Sequence, residues 1–278
     1  MHSLRLALIF AALLSWAGPA HAENYRRPGL EGKWSRRHLT TPLNVMRTML
    51  GPGQPMLMGD RFAEQNVEAG GQYVRTESGE HEWWLRAAVG FGLTKEWEAG
   101  AVFLPFKLAP DFDFSQITVF VTRGFRFEHW DLGLRLSFQT PRFTKDDLRV
   151  WILNPGVPVL YRSESFRFDG GVFVPFATRD WSTGVTVPLR GSVSVSPHVF
   201  LGLESGFYQR RFDYQSDSKV PLGALAGYTM LWSNRVIDFT AMFTWDSFFS
   251  PNADETKNDV NVKAYRVEAG LVLHQLVR

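Results

Sequence analysis

Twelve ionisable side chains recur in segments whose alternate positions are large and apolar: Arg86, Glu98, Arg126, Asp131, Arg135, Arg167, Asp169, Arg190, Glu204, Asp238, Arg266 and Glu268. Six are arginines and six are carboxylates, so the set is balanced. A charge held away from water is costly unless it is paired or wetted. Arginine suits such pairing better than lysine, because its planar fork matches a carboxylate at two points. The chemistry these residues can do is therefore ion pairing inside an enclosed space. Two outcomes fit that chemistry: a charged constriction in an aqueous pore, or a salt-bridged plug that closes one. Arg126 and Asp131 flank a tight turn at 128–129, which brings them together across two strands. Asp131 and Arg135 lie about 13 Å apart along one strand and cannot pair directly. Gly90, Gly92, Gly100, Gly133, Gly171, Gly202, Gly206, Gly223 and Gly227 share the face of the charges and leave room for the long arginine side chains.

Catalytic chemistry is not legible. His129 and His198 sit in or beside tight turns, His274 is close to the C-terminus, His81 is in a loop and His38 is in the N-terminal segment. None stands mid-strand beside an inward serine, as a nucleophile and its base require. No HExxH, GxSxG or calcium-loop pattern occurs. The chain has no cysteine, which excludes a thiol nucleophile, a disulfide scaffold and a cysteine-ligated metal. The expectation is a non-enzyme with no cofactor and no metal site.

The elements that must position the charges are strands. Trp130, Leu132, Leu134, Leu136 and Phe138 alternate with Asp131, Gly133, Arg135, Ser137 and Gln139. Ile237, Phe239, Ala241, Phe243 and Trp245 alternate with Asp238, Thr240 and Thr244, and Val185, Val187, Leu189, Val193 and Val195 with Thr186, Arg190, Ser192 and Ser194. Period two is the signature of a strand with two unlike faces, and nothing comparable recurs at 3.6 residues. Twelve strands are expected, near 66–76, 82–92, 96–106, 115–127, 130–140, 148–162, 165–177, 183–196, 198–212, 219–232, 235–247 and 259–275. Tight turns near 94–95, 128–129, 163–164, 196–197 and 233–234 alternate with longer polar loops. Short turns at one end and long loops at the other, with an even strand count, define an outer-membrane barrel. The fold class is all-β, an antiparallel transmembrane β-barrel of about twelve strands. Fourteen is the alternative if 39–50 and 55–62 pair as a hairpin.

In such a barrel the apolar face meets lipid and the charged face lines the lumen. Strands of 10–15 residues are long enough to cross a bilayer at a tilt. Tryptophans gather at strand ends, with Trp97, Trp130 and Trp232 beside short turns and Trp83, Trp84, Trp151, Trp181 and Trp245 toward long loops. That arrangement reads as two interfacial girdles. Trp97, Trp130 and Trp232 are expected at one height.

The first 22 residues form a separate object. Arg5, the apolar run Leu6–Ala17 and Ala20-His21-Ala22 make the three parts of an export signal. Cleavage near Ala22 would leave a mature chain of net charge +1. Residues 1–22 are thus a signal peptide, 23–65 an N-terminal extension that is periplasmic or luminal, and 66–278 the barrel. The formal net charge of +2 excludes a strongly basic nucleic-acid binder.

Three segments carry a resemblance. GFGLTKEWEAGAVFLPFKLAPDF (90–112), HVFLGLESGFY (198–208) and VPLGALAGYTM (220–230) are similar to hairpins of proteobacterial outer-membrane barrels. The chain resembles a loose porin-like group of twelve-stranded barrels that includes predicted transporters of aromatic-degradation operons. The resemblance implies a location in the cell outer membrane. The expected partners are outer-membrane lipid and lipopolysaccharide and the barrel-assembly machinery, and the expected function is passive passage of small solutes. The competing expectation is a closed structural or adhesive barrel with no transport.

Overall fold

The computed structural model describes residues 64–93, 97–114, 117–127, 130–140, 151–162, 166–178, 183–196, 198–209, 218–232, 235–250 and 259–276. The proposed signal peptide, nearly all of the 23–65 extension, the possible 39–50/55–62 hairpin and Trp181 lie outside those residues.

Twelve long strands carry the fold: β1 (Glu64–Arg75), β2 (His81–Gly92), β3 (Trp97–Ala109), β5 (Ile117–Arg126), β6 (Trp130–Gln139), β7 (Ile152–Arg162), β8 (Phe166–Phe173), β10 (Val185–Ser194), β11 (Val199–Gln209), β12 (Ser218–Trp232), β13 (Arg235–Ser250) and β15 (Tyr265–Leu276). Each pairs antiparallel with its neighbours in sequence, and β1 pairs with β15 from Glu64↔Leu276 to Arg75↔Tyr265. The ring is therefore closed, which removes every open edge. β1 has β2 on one side and β15 on the other, so no further pair of strands can enter there. Twelve is the number, not fourteen.

The connections alternate as the sequence implies. Two to four residues separate β2 from β3, β5 from β6, β7 from β8, β10 from β11 and β12 from β13, whereas the intervening connections are longer. The shortest of the longer set, 76–80, is a tight turn in which Thr76 N–H donates to Glu80 O and Gly79 N–H to Thr76 O. Gly79 has φ +85°, which a residue with a Cβ rarely adopts. Both barrel ends lie at the short-turn end.

Three two-residue strands depart from the expected segments. The 165–177 run breaks at Val174-Pro175, and β9 (Phe176–Ala177) pairs instead with β7. Proline cannot donate to the ladder and ends the strand. The 259–275 run also breaks: β14 (Asp259–Val260) folds onto Phe249–Ser250 of β13, and β15 starts only at Tyr265. β4 (Asp113–Phe114) folds onto Phe106–Lys107 of β3 in the same way. All three extend the wall beyond the ring at its long-loop end.

The faces are inverted relative to a water-soluble protein. On β6, Asp131, Gly133, Arg135 and Ser137 are buried, whereas Trp130, Leu132, Leu134, Leu136 and Phe138 are exposed. Val119, Phe125, Leu189, Val193, Leu201, Leu203, Phe239 and Leu271 continue this exposed apolar surface round the ring. An apolar exterior of this extent is a liability in water and a requirement in lipid.

Candidate functional site

The inner wall is built by registry. A side chain on one strand shares its level with the directly paired residue on the next, so pairs followed round the ring form oblique rows. One row runs Asp131, Leu160, Asp169, Arg190, Glu204, Gly223, Thr244, Arg266 and Val74, from β6 round to β1. Arg126 on β5 is paired directly with Asp131. The Arg126 side chain, like those of Arg86 and Trp232, lies outside the described residues. A second row runs Glu98, Thr122, Arg135, Gly156 and Phe173.

The structure brings several of the twelve charged residues together. Arg135 reaches over β5 along its row: Nε donates to Thr122 Oγ1 at 2.8 Å, and Nη2 to Glu98 Oε1 at 3.0 Å. Its guanidinium lies 4.0 Å from the Phe120 ring centre. Phe120 can tuck against the wall because Gly100 is opposite, and a Cβ there would overlap the ring. Arg167 holds Asp169 two residues along β8, with Nε 2.9 Å from Oδ2 and Nη2 2.7 Å from Oδ1. Arg190 stands between Asp169 and Glu204 in register and is 2% exposed. Asp238 accepts a hydrogen bond from the Thr229 hydroxyl across the β12–β13 pair.

Arg266 reaches three carboxylates. Its Nη1 lies 3.1 Å from Asp246 Oδ1 and its Nη2 3.8 Å from Glu204 Oε1. Its Nε lies against Glu268 Oε1, an ion pair in which the N–H is not directed at the oxygen. To meet Glu204 the side chain passes the positions of Thr244 and Gly223, where a Cβ would strike Thr244 Oγ1.

Asp246 was not among the expected wall residues. Its signal was the parity of Asp238, Thr240 and Thr244 carried one step further along β13. Thr122, Thr229 and Phe120 were missed for a different reason: nothing in a linear sequence tells which hydroxyl or ring lies one strand from an arginine. Lys107 was missed as well. Its Nζ pairs with Glu82 Oε1 at 2.6 Å and lies 5.9 Å from the centre of the Trp84 ring.

That last contact corrects the girdle. Trp83 is 53% exposed and points outward, but Trp84 is 8% exposed and donates its indole N–H to Glu82 Oε2. Adjacent strand residues face opposite ways, so only one of the two can belong to an outer belt. Trp84 is an inner-wall residue. Trp97, Trp130 and Trp151 are exposed on the outside, and Trp151 stacks on Phe138. Trp245, half-buried, packs edge-on against Phe243. Trp97 and Trp130 each open a strand after a short turn, and Trp232 closes one before a short turn.

The rest of the wall is not charged throughout. Phe200, Leu225, Met242 and Val272 form a buried apolar cluster on β11, β12, β13 and β15. No group of His, Asp and Glu able to hold a metal ion occurs among the described residues.

No protein-family model and no curated protein matches the chain. Solved structures do. The COG4313 outer membrane channel from Pseudomonas putida F1 is 12% identical, with a TM-score of 0.54 over 81% of this chain and 99% of that one. A NanC porin is 12% identical, with a TM-score of 0.47 over 74% of this chain and 98% of its own. A CymD monoaromatic hydrocarbon channel is 7% identical, with a TM-score of 0.45 over 83% and 96%. The fold is that of a porin-like outer-membrane barrel.

Proposed function

We propose that the protein is a porin-like channel of the outer membrane that passes small polar solutes passively through a charge-balanced lumen. The observation that carries this reading is the inversion of faces. The outside is apolar and aromatic, and the inside carries ion pairs on β3, β6, β8, β11, β13 and β15. A wall of that kind is of use where polar solutes or water meet it. Twelve strands lie between small barrels, whose interiors are filled by side chains, and the 16–18-stranded porins, which leave an aqueous channel. The two signs stay close to balance when Asp246 and the Lys107–Glu82 pair join the twelve, which should give weak ion preference, because strong preference needs a ring of one sign. On this reading the chain reaches the outer membrane by way of a cleaved leader near Ala22. Its outer face then meets phospholipid on one side and lipopolysaccharide on the other.

One observation favours a closed structural barrel instead. Arg135, Arg167, Arg190, Glu204, Asp131 and Asp169 are all 5% exposed or less, so side chains pack closely around the charges of both rows. The deciding experiment is conductance of the purified full chain in planar bilayers. Stepwise current with a reversal potential near zero in a salt gradient is the expected result. Silence at every voltage would replace the channel with the closed barrel.

A further inference from the structure

Among the described residues, prolines interrupt the ladder three times along one line of the inner wall. Leu132↔Val159 and Arg135↔Gly156 are paired, which sets Gly133 opposite Pro158 and Leu134 opposite Val157, yet neither of these two pairs is joined. The same interruption recurs between β8 and β10, where Gly171 stands opposite Pro188, and between β11 and β12, where Gly206 stands opposite Pro221. The seams between these three are intact and link them: Pro158 is paired with Gly171, and Pro188 with Gly206. Neighbouring strands of the ring from β6 to β12 thus carry glycine and proline in alternation at one buried position. A proline has no N–H, so each interrupted pair lacks a rung that its glycine carbonyl would accept. Glycine is required opposite, because a Cβ at Gly171 would stand 3.0 Å from Pro158 Cα, and one at Gly206 3.1 Å from Pro188 Cα. The seam that closes the ring is different. β1 and β15 pair without a gap from Glu64↔Leu276 to Arg75↔Tyr265, through Gly70 opposite Gly270.

We infer that Gly133, Pro158, Gly171, Pro188, Gly206 and Pro221 form a hinge line, along which this side of the wall bends when the packed lumen opens. Each missing rung removes a bond that would hold two strands in step, and each glycine leaves its own backbone free to turn. The line also divides the side chains that pack the lumen. Asp169, Arg190 and Glu204 lie two residues to one side of it, and Phe173, Thr186 and Tyr208 two residues to the other. Phe173 bolts the line, since its ring is 1% exposed and covers both Gly156 on β7 and Gly171 on its own strand. Bending there draws the two sets apart. The hinge itself stands on the ladder; its use in opening rests on the channel reading.

Hydrogen exchange of the full chain in detergent, read by mass spectrometry, tests the hinge. Peptides on the line should exchange about tenfold faster than those at Gly70 and Gly270, since a lost rung is worth up to about that factor. Replacing Pro158, Pro188 and Pro221 together by alanine supplies the missing donors and should slow exchange on the line about tenfold. Pro188→Ala alone, at the centre of the line, is the second variant should the triple one fail to fold, and it should slow its own seam. Pro155→Ala lies off the line and should leave exchange there unchanged. Phe173→Leu withdraws the bolt and should speed it. In planar bilayers the triple variant should open less often than the wild type. Line peptides as protected as Gly70 and Gly270, or unaffected by the proline replacements, make the line a static bend and overturn the hinge. Fast exchange on the line, with the same current in wild type and triple variant, overturns its role in opening. Fast exchange with no current from any variant ends the channel reading and leaves the hinge standing.

Discussion

Arg135 and Arg266 are the same residue type, on the same inner face of one barrel, and each spans from its own strand to a distant acid. They differ in what surrounds them. Arg135 meets a carboxylate, a hydroxyl and an aromatic face, each matched to a part of the guanidinium. Arg266 reaches three carboxylates. The first arrangement is complete in itself and locks β3, β5 and β6 together. The second spreads one guanidinium over three carboxylates, with Arg190 in register beside Glu204, and so ties β11, β13 and β15 into one group. A buried arginine is therefore not a role. What faces it decides whether it acts as a strut between two strands or as a hub shared among several carboxylates.

The largest effect should come from breaking the strut. Arg135→Ala takes the guanidinium away from buried Glu98 and removes the donor to Thr122. Breaking a buried pair in this way costs about 3–5 kcal/mol. Denaturant unfolding of the refolded barrel, followed by tryptophan emission, measures it. A loss below about 1 kcal/mol, the value typical of exposed pairs, would mean that water already fills this level and that the two centres are alike.

The same comparison can be sharpened by replacing both partners. Arg135→Met with Glu98→Leu puts apolar groups of similar reach in place of the pair. Such replacements are often neutral or stabilising by about 1–4 kcal/mol relative to the ion pair. The double variant should recover most of the stability lost by Arg135→Ala and leave ion preference unchanged. A marked change in reversal potential would show that Arg135 is wetted and conducts, and is not a strut.

How much of this was legible follows from the same contrast. The period-two pattern of Trp130–Gln139 gave the strand, its two faces and the burial of Asp131 and Arg135, because side-chain direction in a strand depends on the chain alone. The alternation of short and long connections gave the closed ring and its parity. Partner choice depends on registry between strands, which the sequence does not state. Glu98 and Arg135 are 37 residues apart, and Glu204 and Arg266 lie on strands separated by two others. The Trp83-Trp84 pair failed for the related reason that two adjacent indoles cannot share a face. The parity of Arg86, two residues further on, already assigns Trp84 to the inner face, and its register with Lys107 agrees. Segments 165–177 and 259–275 each contain a break that a proline or a bend makes, and period two alone runs through it.

A smaller effect should come from the floor of the strut. Gly100 carries no Cβ, and one built there would overlap both the Phe120 ring and the Val89 carbonyl. Gly100→Ala should therefore push Phe120 off Arg135 and cost about 1–3 kcal/mol by overpacking. If the ring is a working part of the strut, Phe120→Leu in the Gly100→Ala background should restore part of the loss, since a smaller side chain fits beside the new methyl. No recovery would place the strain on the backbone carbonyl and remove the aromatic face from the account.

The smallest effect on stability should come from the edge of the other centre. The Asp246 side chain is 30% exposed, unlike Glu204 and Glu268 at 2%, so its pair with Arg266 is partly screened by solvent. Asp246→Asn keeps the shape and removes one of three negative charges. A pair of this exposure contributes about 0–1 kcal/mol, so the unfolding midpoint should scarcely move. Ion preference should move more than stability does. The change removes one negative charge from the inner wall, so the lumen should shift toward anions by a measurable reversal potential in a salt gradient. Arg135→Ala has the opposite signature, with a large loss of stability. Two variants that separate stability from selectivity in opposite directions would establish that the two arginines do different work. A large stability loss in Asp246→Asn would instead make Arg266 a second strut, with its carboxylates committed to holding β13 and β15 together.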